Sequence, residues 1–178
     1  MKHVAEILKA GITTIPNFPK PGIQFKDLQS VLGDPRLLDV VHGGLIQACH
    51  ISGNFDALIG LESRGFMFAT SLAIALDKPF FMVRKPGKLP PPVSSISYNK
   101  EYGQDTLEIR QSCITPGMRV IIHDDLLATG GTADAAAQLV HQCGGIVAGF
   151  VFIMELSELK GRQVLEKFDV PIISLVTY

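Results

Sequence analysis

The sequence is poor in cysteine, in long apolar runs and in net charge. Its three cysteines, Cys49, Cys113 and Cys143, are odd in number and widely separated, which argues against a disulfide framework and favours reduced thiols in the cytoplasm. No spacing of cysteine and histidine indicates a zinc site. The most apolar stretch, residues 146–154, is far shorter than the ~20 residues that a membrane-spanning helix needs. Charged side chains near the start, including Lys2 and Glu6, argue against a signal peptide.

The formal net charge of -1 gives no reason to expect nucleic acid or an anionic membrane as a partner. A chain of 178 residues is long enough to bury a full hydrophobic core within one domain. We therefore expect a single domain over residues 1–178, with no nucleic acid and no membrane among its partners.

One stretch, residues 119–132, has the pattern of a binding site. A β-branched run, residues 120–123, predicts a buried strand that ends at two adjacent carboxylates, Asp124 and Asp125. Two threonines and two glycines follow, and then an alanine-rich helix that Thr132 is placed to cap. A strand, a glycine-rich turn and a helix N-terminus together form an anion site, here for a phosphate whose attached sugar offers hydroxyls to the two aspartates. The same residue types also fit a plain strand, turn and cap with two solvated aspartates.

A second strand, turn and helix occur earlier in the chain. Residues 56–60 predict a short strand, Arg64 stands in the polar turn that follows, and a helix extends from Phe66 to Leu76. This pattern indicates a second anion site, although Arg64 alone would fit a surface ion pair equally well. A third strand, residues 79–83, leads into a basic loop, residues 84–88. Its cations fit either a solvated patch or a polyphosphate site, because ligands of open α/β sheets bind at strand ends.

The remaining pattern alternates strands and helices. We predict helices at residues 3–10, 35–51 and 159–168, and strands at residues 106–110, 146–155 and 171–176. Residues 15–27 contain three prolines and predict an ordered loop rather than a regular element, in which Phe25 either packs or stacks on a flat ligand. Residues 93–104 predict a mobile flap that carries one acid, Glu101. The fold class is therefore α/β, with a mostly parallel central sheet and helices on both faces.

The motifs together resemble the type I phosphoribosyltransferases. Residues 124–132, Asp-Asp-Leu-Leu-Ala-Thr-Gly-Gly-Thr, resemble the phosphoribosyl diphosphate signature in its adenine-specific form. The resemblance extends in order through residues 19–27, 62–66, 84–90, 98–103 and 154–156, so that it covers nearly the whole chain. It implies the fold of that family, with a small hood to which residues 1–30 contribute and a flexible flap. It also implies purine salvage, in which adenine and phosphoribosyl diphosphate give AMP and pyrophosphate.

The resemblance further implies a role for each motif. The 5-phosphate is expected on the phosphate loop, which is Ala128, Thr129, Gly130, Gly131 and Thr132. The ribose hydroxyls are expected on Asp124 and Asp125. The diphosphate is expected on the diphosphate loop with the basic loop, through Glu62, Ser63, Arg64, Arg84, Lys85 and Lys88. The diphosphate loop, residues 62–65, often holds a non-proline cis peptide in this fold.

Catalysis and adenine recognition follow from the same resemblance. Glu101 is expected to act as the general acid/base near the purine, with Tyr102 beside it on the flap and Arg64 as a second catalytic group. Phe25 is expected to stack on adenine, while backbone groups of Ile23 and Phe25 read its edge. Mg²⁺ is expected as the cofactor, bound through the diphosphate with possible help from Asp124 or Asp125. The family forms homodimers in which a basic residue of the diphosphate set can reach the neighbouring site.

Three positions depart from the family pattern. His123 replaces the usual aliphatic residue before the acid pair, Lys26 stands where arginine is also common, and Pro91 and Pro92 stiffen the root of the flap. Lys26 leaves open a preference for 6-oxo bases such as hypoxanthine, because a lysine aimed at position 6 of the base would favour an oxygen acceptor. A regulator that senses phosphoribosyl diphosphate and binds nucleic acid is a second alternative, which would need a basic surface or an added module.

Overall fold

A computed structural model describes residues 2–99 and 103–178. Its centre is a five-stranded parallel sheet in the order β4-β3-β7-β8-β9. These strands are β3 (Ala57–Leu61), β4 (Phe80–Val83), β7 (Arg119–Leu127), β8 (Ile146–Glu155) and β9 (Ile172–Thr177). Their apolar, β-branched sequences suit strands buried on both faces, and the predicted parallel sheet is confirmed. The carboxyl ends of all five strands lie at one edge, where the polar turns follow.

Helices cover both faces of the sheet, as predicted. Helices α1 (Lys2–Gly11), α2 (Gln29–Leu32), α3 (Pro35–Ile51) and α4 (Gly65–Leu76) pack on one face. Helices α5 (Gly131–Gln142) and α6 (Gly161–Leu165) pack on the other, where 3₁₀ turns flank α6 at Ser157–Leu159 and Glu166–Phe168. The predicted cap of α3 is confirmed, because the Asp34 carboxylate accepts from the Arg36 N–H at 2.8 Å. Within the described residues, none of the helices combines the length and hydrophobicity needed to cross a membrane.

The proline-rich N-terminal segment is not a loop throughout, so that prediction was wrong. Strands β1 (Thr13–Pro16) and β2 (Gln24–Asp27) pair antiparallel, with Ile15 opposite Phe25. Pro16 is the last residue of its strand, a position where the missing N–H costs little, and the other prolines lie in the turn. The N-terminal hairpin, β1 with β2, therefore holds Phe25 on a paired strand.

The flap is also more regular than its sequence predicts. Strand β5 (Val93–Asn99) pairs along its whole length with β6 (Gln104–Arg110), and a 3₁₀ turn at Gln111–Cys113 follows. Leu107 and Ile109 are buried in the core on the α5 side of the sheet, which anchors the base of this second hairpin. Glu101 and Tyr102, on which the flap's expected chemistry rests, lie outside the described residues.

Helix α5 begins differently from the prediction. Gly130, not Thr132, is the N-cap, and it has a left-handed φ of 82° that favours glycine. Thr132 lies within the first turn of the helix, and the N-cap Gly130 has no side chain with which to cap the terminus. The backbone N–H groups at the start of α5 are consequently available to a ligand.

Candidate functional site

The phosphate loop lies at the carboxyl end of β7, the middle strand of the sheet. It encloses a cavity of about 60 Å³, bordered by Asp124, Leu126, Leu127, Ala128, Thr129, Gly130, Gly131, Thr132, Ala133 and Phe152. The N-terminus of the 12-residue helix α5 opens into this region, so its dipole and unpaired N–H groups favour an anion there. The structure thus brings all five predicted phosphate-binding residues to one enclosed site.

The two aspartates that follow one another on β7 have different environments. Asp124 is half-buried on the cavity wall, and its Oδ1 accepts from the Asp125 N–H at 2.9 Å. Asp125 is only 2 % exposed, and its Oδ2 lies 3.0 Å from Arg64 Nε. That contact is off the axis of a good hydrogen bond, so it acts mainly as an ion pair. Asp124 therefore faces the phosphate loop, while Asp125 holds Arg64.

Burial raises the pKa of both carboxyl groups. For Asp124 the neighbouring Asp125 carboxylate raises the pKa further, because two negative charges share a poorly solvated site. For Asp125 the Arg64 guanidinium opposes the effect of burial. A ligand that donates hydroxyl groups or brings positive charge to Asp124 would favour its ionised form.

The diphosphate loop packs directly against the acid pair. Its Glu62–Ser63 peptide is cis, as the family resemblance implies. A side chain at Gly65 would place its Cβ 2.8 Å from the His123 carbonyl oxygen and 3.1 Å from Asp124 Oδ1. Only glycine lets the start of α4 approach β7 this closely, so the two predicted anion turns form one continuous site.

Glu62 organises the basic loop. Its carboxylate accepts from Arg84 Nη2 at 2.9 Å and from the Lys85 N–H at 2.7 Å. Burial alone would raise the pKa of Glu62, but these bonds and the nearby cations hold it below its ordinary value. The charge of Arg84 is therefore already paired, whereas the side chains of Lys85 and Lys88 are exposed beside it. Of the three cations of the basic loop, the two lysines are the better placed to meet a diphosphate.

The N-terminal hairpin presents the predicted adenine-binding residues. Phe25 is half-buried and meets Phe18 edge to face at 5.1 Å, while Ile23 is exposed. Lys26 is engaged elsewhere: its Nζ donates to Thr14 Oγ1 at 2.9 Å and lies 4.1 Å from the centre of the Tyr178 ring. Lys26, the residue that left the choice of base open, is therefore bound to Thr14 and Tyr178.

The flap hairpin reaches the phosphate loop. The hydroxyls of Tyr98 on β5 and Thr132 on α5 lie 3.2 Å apart. At the base of the hairpin, Glu108 pairs with Arg84 through two backbone hydrogen bonds of 2.9 and 2.7 Å. The flap is thus attached at one point to the phosphate loop and at another to the basic loop.

His123 is completely buried on β7, directly before the acid pair. Its Nδ1 donates to the Val151 carbonyl at 2.9 Å, which fixes the neutral tautomer with the proton on Nδ1. Burial lowers its pKa to about 4, although the bond to Val151 acts in the opposite direction. Nε2 has no hydrogen-bond partner among the described residues. His123 therefore behaves as a neutral core residue, much like the aliphatic residue it replaces.

A buried ionic cluster that the sequence did not predict lies beside the phosphate loop. Glu155, at the end of β8, is 5 % exposed and accepts three hydrogen bonds, two from Arg162 and one from Ser174. The carboxylate of Glu155 at the end of an otherwise apolar strand is a signal that the sequence offers. Its partners Arg162 and Ser174 are distant in sequence and meet it only in the folded chain.

The described residues hold no group of three or more histidine, cysteine, aspartate or glutamate side chains that could bind a metal by themselves. Mg²⁺ commonly uses one or two carboxylates together with substrate phosphates. The acid pair beside two anion turns fits such a shared site.

Comparison with known proteins agrees with this geometry. The phosphoribosyl transferase domain family matches residues 32–173. The adenine phosphoribosyltransferase of Synechocystis sp. is 50 % identical over 172 residues, which cover 96 % of this chain and 99 % of that protein. The crystal structure of adenine phosphoribosyltransferase from Thermoanaerobacter pseudethanolicus superposes with a TM-score of 0.90 at 45 % identity and covers 98 % of this chain and 99 % of that one. The Saccharomyces cerevisiae enzyme, solved with adenine and an imino-altritol bisphosphate, superposes with a TM-score of 0.90 at 39 % identity, covering 98 % and 99 %.

Proposed function

This chain belongs to the adenine phosphoribosyltransferase family, and from that premise we infer that the site at the carboxyl edge of its sheet makes AMP for purine salvage. The reaction transfers the phosphoribosyl group of phosphoribosyl diphosphate to adenine and releases pyrophosphate. The observation that carries the assignment of the site is the enclosed phosphate loop with Asp124 on its wall and the diphosphate loop packed against it. One phosphate fits the first turn, and the diphosphate of the same substrate lies towards the second.

The chemistry needs no protein nucleophile. Pyrophosphate leaves C1 of the ribose, positive charge develops on the sugar, and N9 of adenine attacks from the opposite face. The imidazole proton of adenine passes to Glu101, the general base that the resemblance implies. Such a sugar cation also forms when glycosides are cleaved. The protein must therefore stabilise the negative charge of the leaving group and exclude water that would compete with adenine.

Each loop has a part in this chemistry. The phosphate loop anchors the 5-phosphate, and Asp124 accepts from the ribose hydroxyls. Asp125 holds Arg64 at the diphosphate loop, which lets Arg64 act on the leaving group. Glu62 fixes Arg84, so that Lys85 and Lys88 on the same loop are presented to the diphosphate. Glu101 is proposed as the general acid/base at the purine, with Tyr102 next to it in the sequence.

Mg²⁺ fits as a cofactor shared with the substrate. The diphosphate oxygens, with Asp124 or Asp125, would hold it. When bound, it supplies positive charge that neutralises the leaving pyrophosphate.

The N-terminal hairpin favours adenine as the substrate base. Phe25 offers an aromatic face for stacking, and Lys26 is held by Thr14 and Tyr178 rather than aimed at the base. A 6-oxo base would lack a positively charged donor from Lys26, whereas the 6-amino group of adenine needs an acceptor. This arrangement favours adenine over hypoxanthine or guanine.

A Mg²⁺-dependent assay of nucleotide formation tests the function. We expect AMP from adenine and phosphoribosyl diphosphate, loss of product with excess chelator, and far less product from hypoxanthine. Equal rates with the two bases would contradict the assignment of the base. If no purine gave pyrophosphate release, the enzymatic function would be contradicted. The alternative of a regulator that senses phosphoribosyl diphosphate would then be favoured.

We also propose that the protein works as a homodimer in the cytoplasm. Met67 and Ile74 on α4 are 43 % and 80 % exposed, and each borders an open hollow, of about 410 Å³ and about 600 Å³ respectively. Met82 on the edge strand β4 is 40 % exposed. Exposed apolar groups on adjoining elements are typical of protein contacts, which supports a second copy of the chain there. The free cysteines support a reducing compartment.

A further inference from the structure

The segment that follows β8, residues 157–168, has no part in the function described so far, yet it touches the phosphate loop. Gly161 is buried, and a Cβ added to it would overlap the Ala128 carbonyl oxygen and lie 2.9 Å from the Gly130 nitrogen. A Cβ added to Gly130 would in turn lie 2.6 Å from the Gly161 carbonyl oxygen. Two glycines therefore bring two backbone segments into direct contact beneath the bend that starts α5.

The next residue, Arg162, is held firmly. Its guanidinium donates to both oxygens of Glu155, at 2.9 Å from Nε and 2.6 Å from Nη2, and to the Ile172 carbonyl at 2.8 Å from Nη1. Ser174 Oγ donates to Glu155 at 2.7 Å. Planar two-point pairing of this kind fixes the direction of an arginine side chain more tightly than a single contact can.

The cluster stands immediately beside the substrate end of the sheet. Glu155 is the register partner of Leu127, and the Leu156 N–H donates to the Leu127 carbonyl at 3.0 Å, one residue before the phosphate loop. An unpaired carboxylate here would repel a bound phosphate. Arg162 neutralises that charge and at the same time tethers the backbone that supports Gly130.

We propose that Arg162 is a positioning residue, which Glu155 and Ser174 hold so that Gly161 supports the phosphate loop in its anion-binding shape. The inference rests on the proposed function, because it assumes that this loop binds the 5-phosphate of the substrate. The effect of Arg162 is confined to the 5-phosphate end of the substrate. The diphosphate loop and the basic loop have their own supports in Glu62 and Gly65.

Binding of two half-substrates separates this role from a general effect on stability. Ribose 5-phosphate carries only the 5-phosphate end, and Mg²⁺-pyrophosphate only the other. For Arg162→Met and Gly161→Ala we expect the affinity for ribose 5-phosphate, measured by calorimetry, to fall about 10- to 100-fold, the loss expected when a hydrogen bond to the charged phosphate is misaligned. The affinity for Mg²⁺-pyrophosphate should stay within about twofold. In turnover, KM for phosphoribosyl diphosphate should rise while KM for adenine is unchanged.

Arg119→Met is the matched control. Arg119 Nε also donates to a backbone carbonyl, that of Asn54, at 2.8 Å, but at the opposite edge of the sheet. It should lose stability without losing affinity for ribose 5-phosphate. If Arg162→Met does not fold, Arg162→Lys replaces it, because lysine keeps the charge beside Glu155 without the two-point contact.

Two outcomes would overturn the proposal, and they differ. Wild-type protein that binds no ribose 5-phosphate would refute the phosphate loop itself, and with it the basis of the inference. Normal wild-type binding together with unchanged affinity in folded Arg162 and Gly161 variants would refute only the positioning role.

Discussion

At the scale of the residue, the adjacent acids of β7 divide two tasks. Asp124 lines the phosphate cavity, whereas Asp125 is buried and paired with Arg64. The sequence predicted that both aspartates bind the ribose hydroxyls, because it does not show that Asp125 is paired with Arg64. Their substitution should therefore have different consequences.

Asp124→Asn should weaken the binding of phosphoribosyl diphosphate with little loss of stability. Hydrogen bonds to a charged acceptor contribute about 1.5–3 kcal/mol, so a roughly 10- to 100-fold loss in affinity is expected by calorimetry. Asp125→Asn is the comparison: it releases Arg64 from its ion pair, so it should weaken the binding of Mg²⁺-pyrophosphate rather than the contact with the ribose. Unchanged affinity in Asp124→Asn would show that this carboxylate does not hold the ribose.

His123 should give the protein an acid-sensitive core. Its pKa is about 4 in the folded chain and near 6.5 when exposed, so the unfolded state takes up a proton first as pH falls. Stability from this residue is complete above pH 6.5 and is lost progressively towards pH 4. Between pH 7 and pH 5 the loss is about 2 kcal/mol by linkage.

The variant His123→Ile tests this directly. Urea unfolding at one protein concentration should show a free energy of unfolding that falls by about 2 kcal/mol less between pH 7 and pH 5 than in the wild type. Equal pH dependence in the two proteins would mean that His123 is not the group that takes up the proton.

At the scale of the element, the flap is a hairpin whose two ends are tied to different loops. Tyr98 contacts Thr132 at the phosphate loop, and Glu108 pairs with Arg84 at the basic loop. Substrate phosphates at either loop would therefore meet the flap.

Glu101→Gln should bind phosphoribosyl diphosphate nearly normally but turn over about 10²- to 10⁴-fold more slowly, the usual range for a lost general acid or base. Single-turnover kinetics with saturating adenine measures the chemical step. Glu108→Gln is a matched change in the same hairpin at a carboxylate that bonds the Gly87 N–H at 3.1 Å, and it should not reproduce the effect on chemistry. Wild-type turnover in the Glu101 variant would remove this residue from the mechanism.

The sequence predicted those elements whose pattern is local. Strand β8 spans residues 146–155, as predicted, and helix α3 begins after the Asp34 cap, because apolar periodicity and capping need only neighbours in the chain. The N-terminal hairpin was not predicted, because its antiparallel pairing joins residues 13 and 27 and because the three prolines between them are typical of a loop. The Thr132 cap was wrong because a left-handed bend at Gly130 moves the helix start earlier. Arg162 gained its partners from two strands, which no single stretch of sequence reveals.

At the scale of the whole molecule, the apolar groups on α4 and β4 should determine the oligomeric state. Ile74 is the most exposed of them, at 80 %, and it makes no contribution to the site. Ile74→Asp should therefore convert a dimer into a monomer at micromolar concentration, measured by sedimentation equilibrium, because a charge buried in an apolar contact is costly. Ile146→Asp is the control, since Ile146 is also exposed, at 43 %, but begins β8, which is three strands away from the edge strand β4.

The activity of the Ile74 variant separates two possible roles of dimerisation. If a basic residue of one subunit reaches the diphosphate of the other, as the family resemblance implies, the monomer should lose affinity for Mg²⁺-pyrophosphate while it keeps affinity for ribose 5-phosphate. This is the reverse of the pattern expected for Arg162→Met, so the two half-substrates report on opposite ends of the site. A monomeric variant with full pyrophosphate affinity would show that each subunit carries a complete diphosphate site. A wild-type protein that is already monomeric at this concentration would contradict the proposed dimer.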